Sequence, residues 1–75
     1  MRPNERDAAY LWDMLEAAKN VHDFTRNLAF HHYQQDKKLK LAVERSIEII
    51  GEAASKVSRE FQEAHPEIPW KGIIG

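Results

Sequence analysis

Residues 37–64 read KKLKLAVERSIEIIGEAASKVSREFQEA, and this stretch decides the fold. Apolar residues recur in it every three or four positions, which is the spacing of one face of an α-helix. Asp36 can cap the start, and His65 precedes Pro66, a position that disfavours helical backbone angles. We therefore predict one helix from Lys37 to about Ala64, roughly 42 Å long at about 1.5 Å per residue. Its main apolar face consists of Leu39, Ala42 or Val43, Ser46, Ile50, Ala53 or Ala54, Val57 and Phe61.

Three further features of this helix bear on function. Ile47 and Ile49 lie beside the main face, so the apolar arc is wider than one neighbouring helix needs, and we expect an assembly. Gly51 interrupts a strong helical pattern, which predicts a close helix crossing at that position, although a merely tolerated glycine is the alternative. Glu44, Glu48 and Glu52 recur every four residues; an acidic ridge that is solvated or flanks an interface is favoured over a metal site in a bundle core.

A first helix is predicted from Glu5 to about Arg26, with Asn4 as its cap. Residues 27–36 form a connector with room for one helical turn, from which apolar side chains fold back onto the core. A further helix is predicted to begin at Pro69. The first helix presents Leu11, Leu15, Ala18, Val21 or His22 and Thr25, widened by Tyr10, Met14, Ala17 and Phe24; the connector presents Leu28, Phe30 and Tyr33; the last helix buries Trp70, Ile73 and Ile74. The fold class is all-α, an antiparallel helical bundle.

Trp12 lies off the main apolar face of the first helix and is equally consistent with a partner contact or local packing.

Composition limits the class of protein. The chain has 75 residues, 11 basic and 12 acidic, and no cysteine. Disulfides are therefore excluded, and the net charge of −1 gives no global electrostatic case for nucleic acid. The polar N-terminus and the absence of a long apolar run predict a cytoplasmic protein with no membrane contact. No cofactor or metal is expected, since His31 and His32 are adjacent and point in different directions on a helix.

Three segments together resemble a known family. They are Asp13–Ala17 (DMLEA), Ile49–Ala54 (IIGEAA) and Pro66–Gly75 (PEIPWKGIIG). In this order and spacing they are similar to the HepT-like family of HEPN-domain proteins. The resemblance implies a helical bundle that forms a homodimer, and residues 1–75 would be a single partial HEPN-like domain. It also implies a ribonuclease toxin of a toxin–antitoxin pair, whose partner is a minimal nucleotidyltransferase antitoxin that silences the toxin by adding AMP to a tyrosine.

The catalytic motif of that family is an arginine, usually followed by a polar residue, then a histidine and a nearby tyrosine. It normally begins just after the Ile-Ile-Gly block, so the resemblance places it after Gly75 and leaves the catalytic residues unknown in this sequence. In such a site a histidine would transfer protons and an arginine would stabilise charge on the phosphate. Glu52 is the polar residue of a matched block that could support it.

Residues Arg26 to Tyr33 (RNLAFHHY) match the letters of the motif, but they lie in the connector, where the family varies. Arg59 and His65 have nearly the right separation as well. We expect neither pair to be catalytic, and we expect this chain alone to be inactive on RNA. Two alternatives stay open: a non-catalytic helical protein for dimerisation or antitoxin binding, and a nucleotide-binding HEPN relative.

Overall fold

A computed structural model describes residues 3–75, and within that range the protein contains helices and no strand. The helices are α1 (Glu5–Thr25), α2 (Phe30–Gln35), α3 (Lys37–Lys56), α4 (Arg59–Ala64) and α5 (Trp70–Ile74). The all-α fold class is confirmed. None of the helices in residues 3–75 is long and apolar enough to cross a membrane.

The predicted caps at the starts of α1 and α3 are confirmed. The Asn4 side chain accepts a hydrogen bond from the Asp7 amide at 2.7 Å, and the Asp36 side chain accepts one from the Leu39 amide at 3.0 Å. Each bond satisfies an amide that has no partner inside its helix. The two long helices therefore begin where the polar residues in the sequence predict.

Helices α1 and α3 pack side by side and antiparallel, since Asp7 near the start of α1 contacts Ser58 just after the end of α3. Most of the predicted face of α3 is buried, namely Val43, Ser46, Ala53 and Ala54. The central cluster unites Ala54, Val57, Phe61 and Trp70, with Tyr10, Leu11, Met14, Ile68 and Ile73 packed around it. The core is thus concentrated at the end of the molecule where α3, α4 and α5 meet the start of α1.

The prediction of one helix from Lys37 to Ala64 is wrong. Helix α3 ends at Lys56, Val57 is extended (φ −63°, ψ 135°), and Ser58 caps the separate helix α4. The reason is Asp7, which is only 2% exposed. Its carboxylate accepts hydrogen bonds from the Ser58 amide at 2.8 Å and the Ser58 hydroxyl at 2.6 Å. A continuous helix would use that amide internally, so this contact from another helix favours the break.

The buried face of α1 is also turned from the predicted one. Asp7 and Ala17 are buried and Met14 is half-buried, whereas Leu15 is 52% exposed and Ala18 faces solvent. Because the Asp7 carboxylate must reach Ser58, it fixes the rotation of α1 about its axis. Trp12 is 60% exposed, three residues before Leu15 on the same side of the helix.

The connector holds the helical turn for which it has room, but its side chains do not all fold back. Asn27 has a positive φ of 64°, a conformation that asparagine tolerates, and α2 follows. Tyr33 is half-buried, while Leu28 is exposed and Phe30 is 71% exposed. The ring of Phe30 lies near Tyr33 instead, with centroids 6.4 Å apart.

Candidate functional site

A shallow groove runs between α3 and α5, with a volume of about 650 Å³. It is lined by Ile47, Glu48, Gly51, Glu52 and Ser55 from α3 and by residues 72–75. The segments 49–54 and 66–75, which are the two distinctive blocks of the sequence, therefore meet at one surface. Gly51 marks the contact: a Cβ at that position would lie 3.2 Å from the carbonyl oxygen of Ile73. The predicted close crossing at Gly51 is confirmed, and the element that approaches is α5.

The loop before α5 is positioned by aromatic side chains. Trp70 is buried, and its indole Nε1 donates a hydrogen bond to the carbonyl of His65 at 3.0 Å. Its ring meets Phe61 edge to face, with centroids 6.2 Å apart. Helix α5 begins at Trp70, one residue later than predicted, because Pro69 is its N-terminal cap and not its first helical residue. Ile73 is half-buried, but Ile74 is exposed beside the groove, so the predicted burial holds for Trp70 and fails for Ile74.

One cation lies among the acidic residues of the groove. Arg45 Nη1 is 3.2 Å from Glu48 Oε2 and 3.6 Å from Glu52 Oε1, and all three side chains are well exposed. The solvent-facing acidic ridge is therefore the correct interpretation of Glu48 and Glu52. Sequence reasoning missed Arg45, although its spacing of three and seven residues from these glutamates places all three on one side of a helix. Within residues 3–75, no group of three or more His, Asp or Glu side chains is placed to hold a metal ion.

Comparison with known proteins identifies the family to which this chain belongs. The family model described as "Ribonuclease HepT-like" matches residues 14–75, which include both blocks that line the groove. This chain belongs to the HepT-like ribonuclease family. No solved structure matches it significantly.

Relatives in the HepT-like family carry matching names. The chain is 41% identical over 71 residues to a presumed RNase of Methanocaldococcus jannaschii, covering 95% of this chain and 59% of the relative. It is 42% identical over 71 residues to a protein of Thermococcus cleftensis named as a probable ribonuclease HepT, covering 95% of this chain and 63% of the relative. A second M. jannaschii protein, also a presumed RNase, is 38% identical over 73 residues, or 96% of this chain and 67% of that protein. The chain thus spans about three fifths to two thirds of the length of these relatives.

The residues of the connector that match the motif lie apart from the groove between α3 and α5. Arg26 is the C-terminal cap of α1, and His31 and His32 are exposed on α2. None of them lines the groove between α3 and α5. Residues 26–33 therefore match the family motif in sequence, but they do not contribute to the groove that the two family blocks form.

The second pair, Arg59 and His65, has contacts of a structural kind. Arg59 Nε is 3.6 Å from Glu63 Oε1 in an exposed ion pair. The His65 ring packs against the Phe61 ring at a tilt of 32°, with centroids 4.4 Å apart, and His65 Nδ1 is 2.8 Å from Glu67 Oε1. An ionised carboxylate can only accept, so Nδ1 is the donor in this hydrogen bond, which is the main reason why the pKa of Glu67 is lowered. His65 thereby holds the loop that leads to α5.

Proposed function

We propose that this chain is the scaffold part of a ribonuclease toxin that pairs with a minimal nucleotidyltransferase antitoxin in the cytoplasm. The observation that carries the proposal is the convergence of the blocks 49–54 and 66–75 on one groove, because these blocks bear the family resemblance. In this proposal residues 1–75 are part of one HEPN-like domain. By the resemblance, the catalytic arginine, histidine and tyrosine would lie after Gly75, following the Ile-Ile-Gly block.

In the proposed site the chemistry belongs to the motif of the family, and the groove supports that motif. The histidine of the motif would move protons and the arginine would stabilise charge on the phosphate. Glu52 lines the groove beside Gly75, and Arg45 lies 3.6 Å from its carboxylate, so Glu52 is placed to orient residues that follow Gly75. Its proposed role is positioning, with no direct contact to the scissile phosphate.

The experiment compares three proteins on a labelled RNA: the 75-residue chain, its Arg26→Ala/His31→Ala variant, and a form extended through the native reading frame. We expect cleavage from the extended form alone. In that form, Glu52→Gln should lower the cleavage rate more than Glu60→Gln, a matched change at an exposed position on α4 outside the groove. Cleavage by the 75-residue chain that the double variant abolishes would contradict the proposal and make the connector the active site.

A second candidate function is a non-catalytic helical protein that dimerises or binds an antitoxin. The observation that favours it is the exposed apolar face of α1 at Trp12 and Leu15, since contiguous exposed apolar surface marks interaction sites. An extended reading frame without an arginine and a histidine four to six residues apart, together with a stable dimer in sedimentation, would favour this candidate over the ribonuclease. The homodimer itself is part of both proposals.

A further inference from the structure

Positive charge is concentrated at one end of the molecule, which we call the α2–α3 corner (residues 26–44). Four of the 11 basic residues and two of the 12 acidic residues of the chain fall within it. The corner therefore carries a formal charge of +2, while the rest of the chain carries −3. The near-neutral total conceals this separation, which is why composition alone gives no case for an anionic ligand. The basic residues are Arg26, Lys37, Lys38 and Lys40.

None of the three lysines of the corner forms an ion pair within the described residues, and the acidic residues nearest to them along the chain are Asp36, the cap of α3, and Glu44, one turn beyond Lys40. Among the described residues, no carboxylate lies within 4.0 Å of their ammonium groups. They also occupy the start of α3, whose first turn contains no acidic residue. That end of a helix carries partial positive charge, so lysines there are unfavourable for the isolated chain. An anionic ligand would relieve the repulsion.

Two of the lysines border a polar groove on this corner. A groove of about 400 Å³ is lined by Gln34, Gln35, Lys37, Lys40, Leu41 and Glu44. The two amides and two ammonium groups supply hydrogen-bond donors along its wall, and the one carboxylate is at the far end, a turn beyond Lys40. Donors of this kind suit phosphate oxygens.

Exposed rings adjoin these donors. Phe30 is 71% exposed, and its ring is nearly parallel to that of Tyr33, at 23°. Both rings border an apolar depression of about 260 Å³ whose floor includes Val43. The rings of His31 and His32 are exposed as well, with centroids 4.1 Å apart. Aromatic faces beside cations are what unpaired nucleobases stack on in proteins that bind single strands.

We propose that the α2–α3 corner binds single-stranded RNA, with Lys37 and Lys40 contacting phosphates and Phe30 stacking on a base. The inference rests on the proposed function, since it supplies a second contact for the RNA substrate away from the groove between α3 and α5. A protein partner would also cover Phe30, but it would have to match three lysines within one turn. The combination of phosphate donors and open ring faces favours RNA.

The test measures binding of a fluorescein-labelled oligouridylate of about 12 nucleotides to the 75-residue chain by fluorescence anisotropy. Phe30→Ala should weaken binding about tenfold, the effect expected when one stacked base is released. Phe30→Trp should retain it. Lys37→Gln/Lys40→Gln should lower the slope of log Kd against log salt by about 1.4, or about 0.7 for each phosphate that is no longer neutralised by a lysine.

Matched controls lie elsewhere on the surface. Phe24→Ala removes another exposed ring, and Lys19→Gln/Arg59→Gln removes the same charge from exposed positions outside the corner. If the corner variants weaken binding no more than these controls, or if the chain binds no oligouridylate, the inference is wrong. It is equally wrong if Phe30→Ala leaves RNA binding unchanged and weakens binding of an antitoxin.

The same variants separate this inference from the proposed function. An extended form that cleaves RNA normally with Phe30→Ala and Lys37→Gln/Lys40→Gln would leave the ribonuclease in place and remove the corner from it. Conversely, a chain that binds oligouridylate through the corner, in a protein whose extended form never cleaves, would retain the RNA site and refute the ribonuclease.

Discussion

Replacing Asp7 tests whether one buried carboxylate sets the break between α3 and α4. In Asp7→Ala the Ser58 amide loses its partner at 2.8 Å and the Ser58 hydroxyl loses its partner at 2.6 Å. The same hydroxyl accepts a hydrogen bond from the Phe61 amide at 3.2 Å, so the cap of α4 loosens with it. Phe61 is a core residue, and the destabilisation extends from the cap into the core.

The magnitude follows from these hydrogen bonds. A hydrogen bond to a charged group contributes about 1.5–3 kcal/mol net, but two bonds on one carboxylate are not additive, so we expect Asp7→Ala to cost about 3 kcal/mol. For a domain of this size that corresponds to a fall in Tm of about 12–24 °C. Asp7→Asn keeps one oxygen for the Ser58 amide and should cost about 1 kcal/mol.

Urea denaturation followed by circular dichroism measures these free energies, and a double-mutant cycle isolates the pair. Asp7→Ala and Ser58→Ala should show a coupling energy of about 1 kcal/mol or more. Glu5→Ala is the matched control, because it removes an exposed acidic residue from the same first turn without touching Ser58. Additivity of the two changes within about 0.5 kcal/mol, or an equal destabilisation in Glu5→Ala, would refute the assignment.

Three further predictions concern other parts of the molecule. Gly51→Leu should destabilise the fold by about 1–3 kcal/mol in urea titrations, because its Cβ would meet the Ile73 carbonyl at 3.2 Å, whereas Gly72→Ala, with nothing within 4 Å, should be neutral or stabilising. The hydrogen bond from His65 lowers the pKa of Glu67 below 4.5, so its stabilisation is present above pH 4.5 and disappears as the pH falls through the lowered pKa. The Tm difference between wild type and Glu67→Gln should therefore shrink from neutral pH to about pH 3, and a constant difference would argue against the bond. Trp12→Ala/Leu15→Ala should shift a dimer toward monomer in sedimentation velocity at micromolar concentration; an unchanged dimer would remove this face of α1 from the interface.

The sequence predicts most of the helices because their signals are local. Asn4 and Asp36 are capping residues placed just before apolar periodicity, and both caps form as expected. The break at Val57 has no comparable signal, since Lys56 to Arg59 continues the helical spacing without proline or glycine. What interrupts the helix is a carboxylate 51 residues earlier in the chain. An interaction of that kind is invisible to periodicity, which considers each helix alone.

The sequence predicts the candidate site only in part, for a related reason. The resemblance identifies the blocks 49–54 and 66–75, and Gly51 predicts a close approach, but no local pattern indicates that α5 is the element approaching. Trp70 determines it by anchoring to His65 and Phe61. The exposure of Phe30 is also not predicted, because apolar residues in a connector are expected to fold back, and a six-residue helix has too little surface to cover two rings.

These interactions form one continuous series of contacts from the first turn of α1 to the groove. Asp7 holds Ser58, Ser58 caps α4, and α4 presents Phe61 to Trp70. Trp70 in turn fixes α5, whose backbone closes over Gly51. The HepT-like family model begins at residue 14, but the relatives described above match at least 71 of the 75 residues, so Asp7 lies within the region that they share with this chain. Because the series links Asp7 to the groove, removal of the Asp7 carboxylate should alter the environment of Trp70 as well as the stability. Trp70 fluorescence recorded in a Trp12→Phe background separates the two effects. If Asp7→Ala shifts the emission of Trp70 while the protein is still folded, the change at Asp7 is transmitted to Trp70; an unchanged emission would mean that the two residues are not linked.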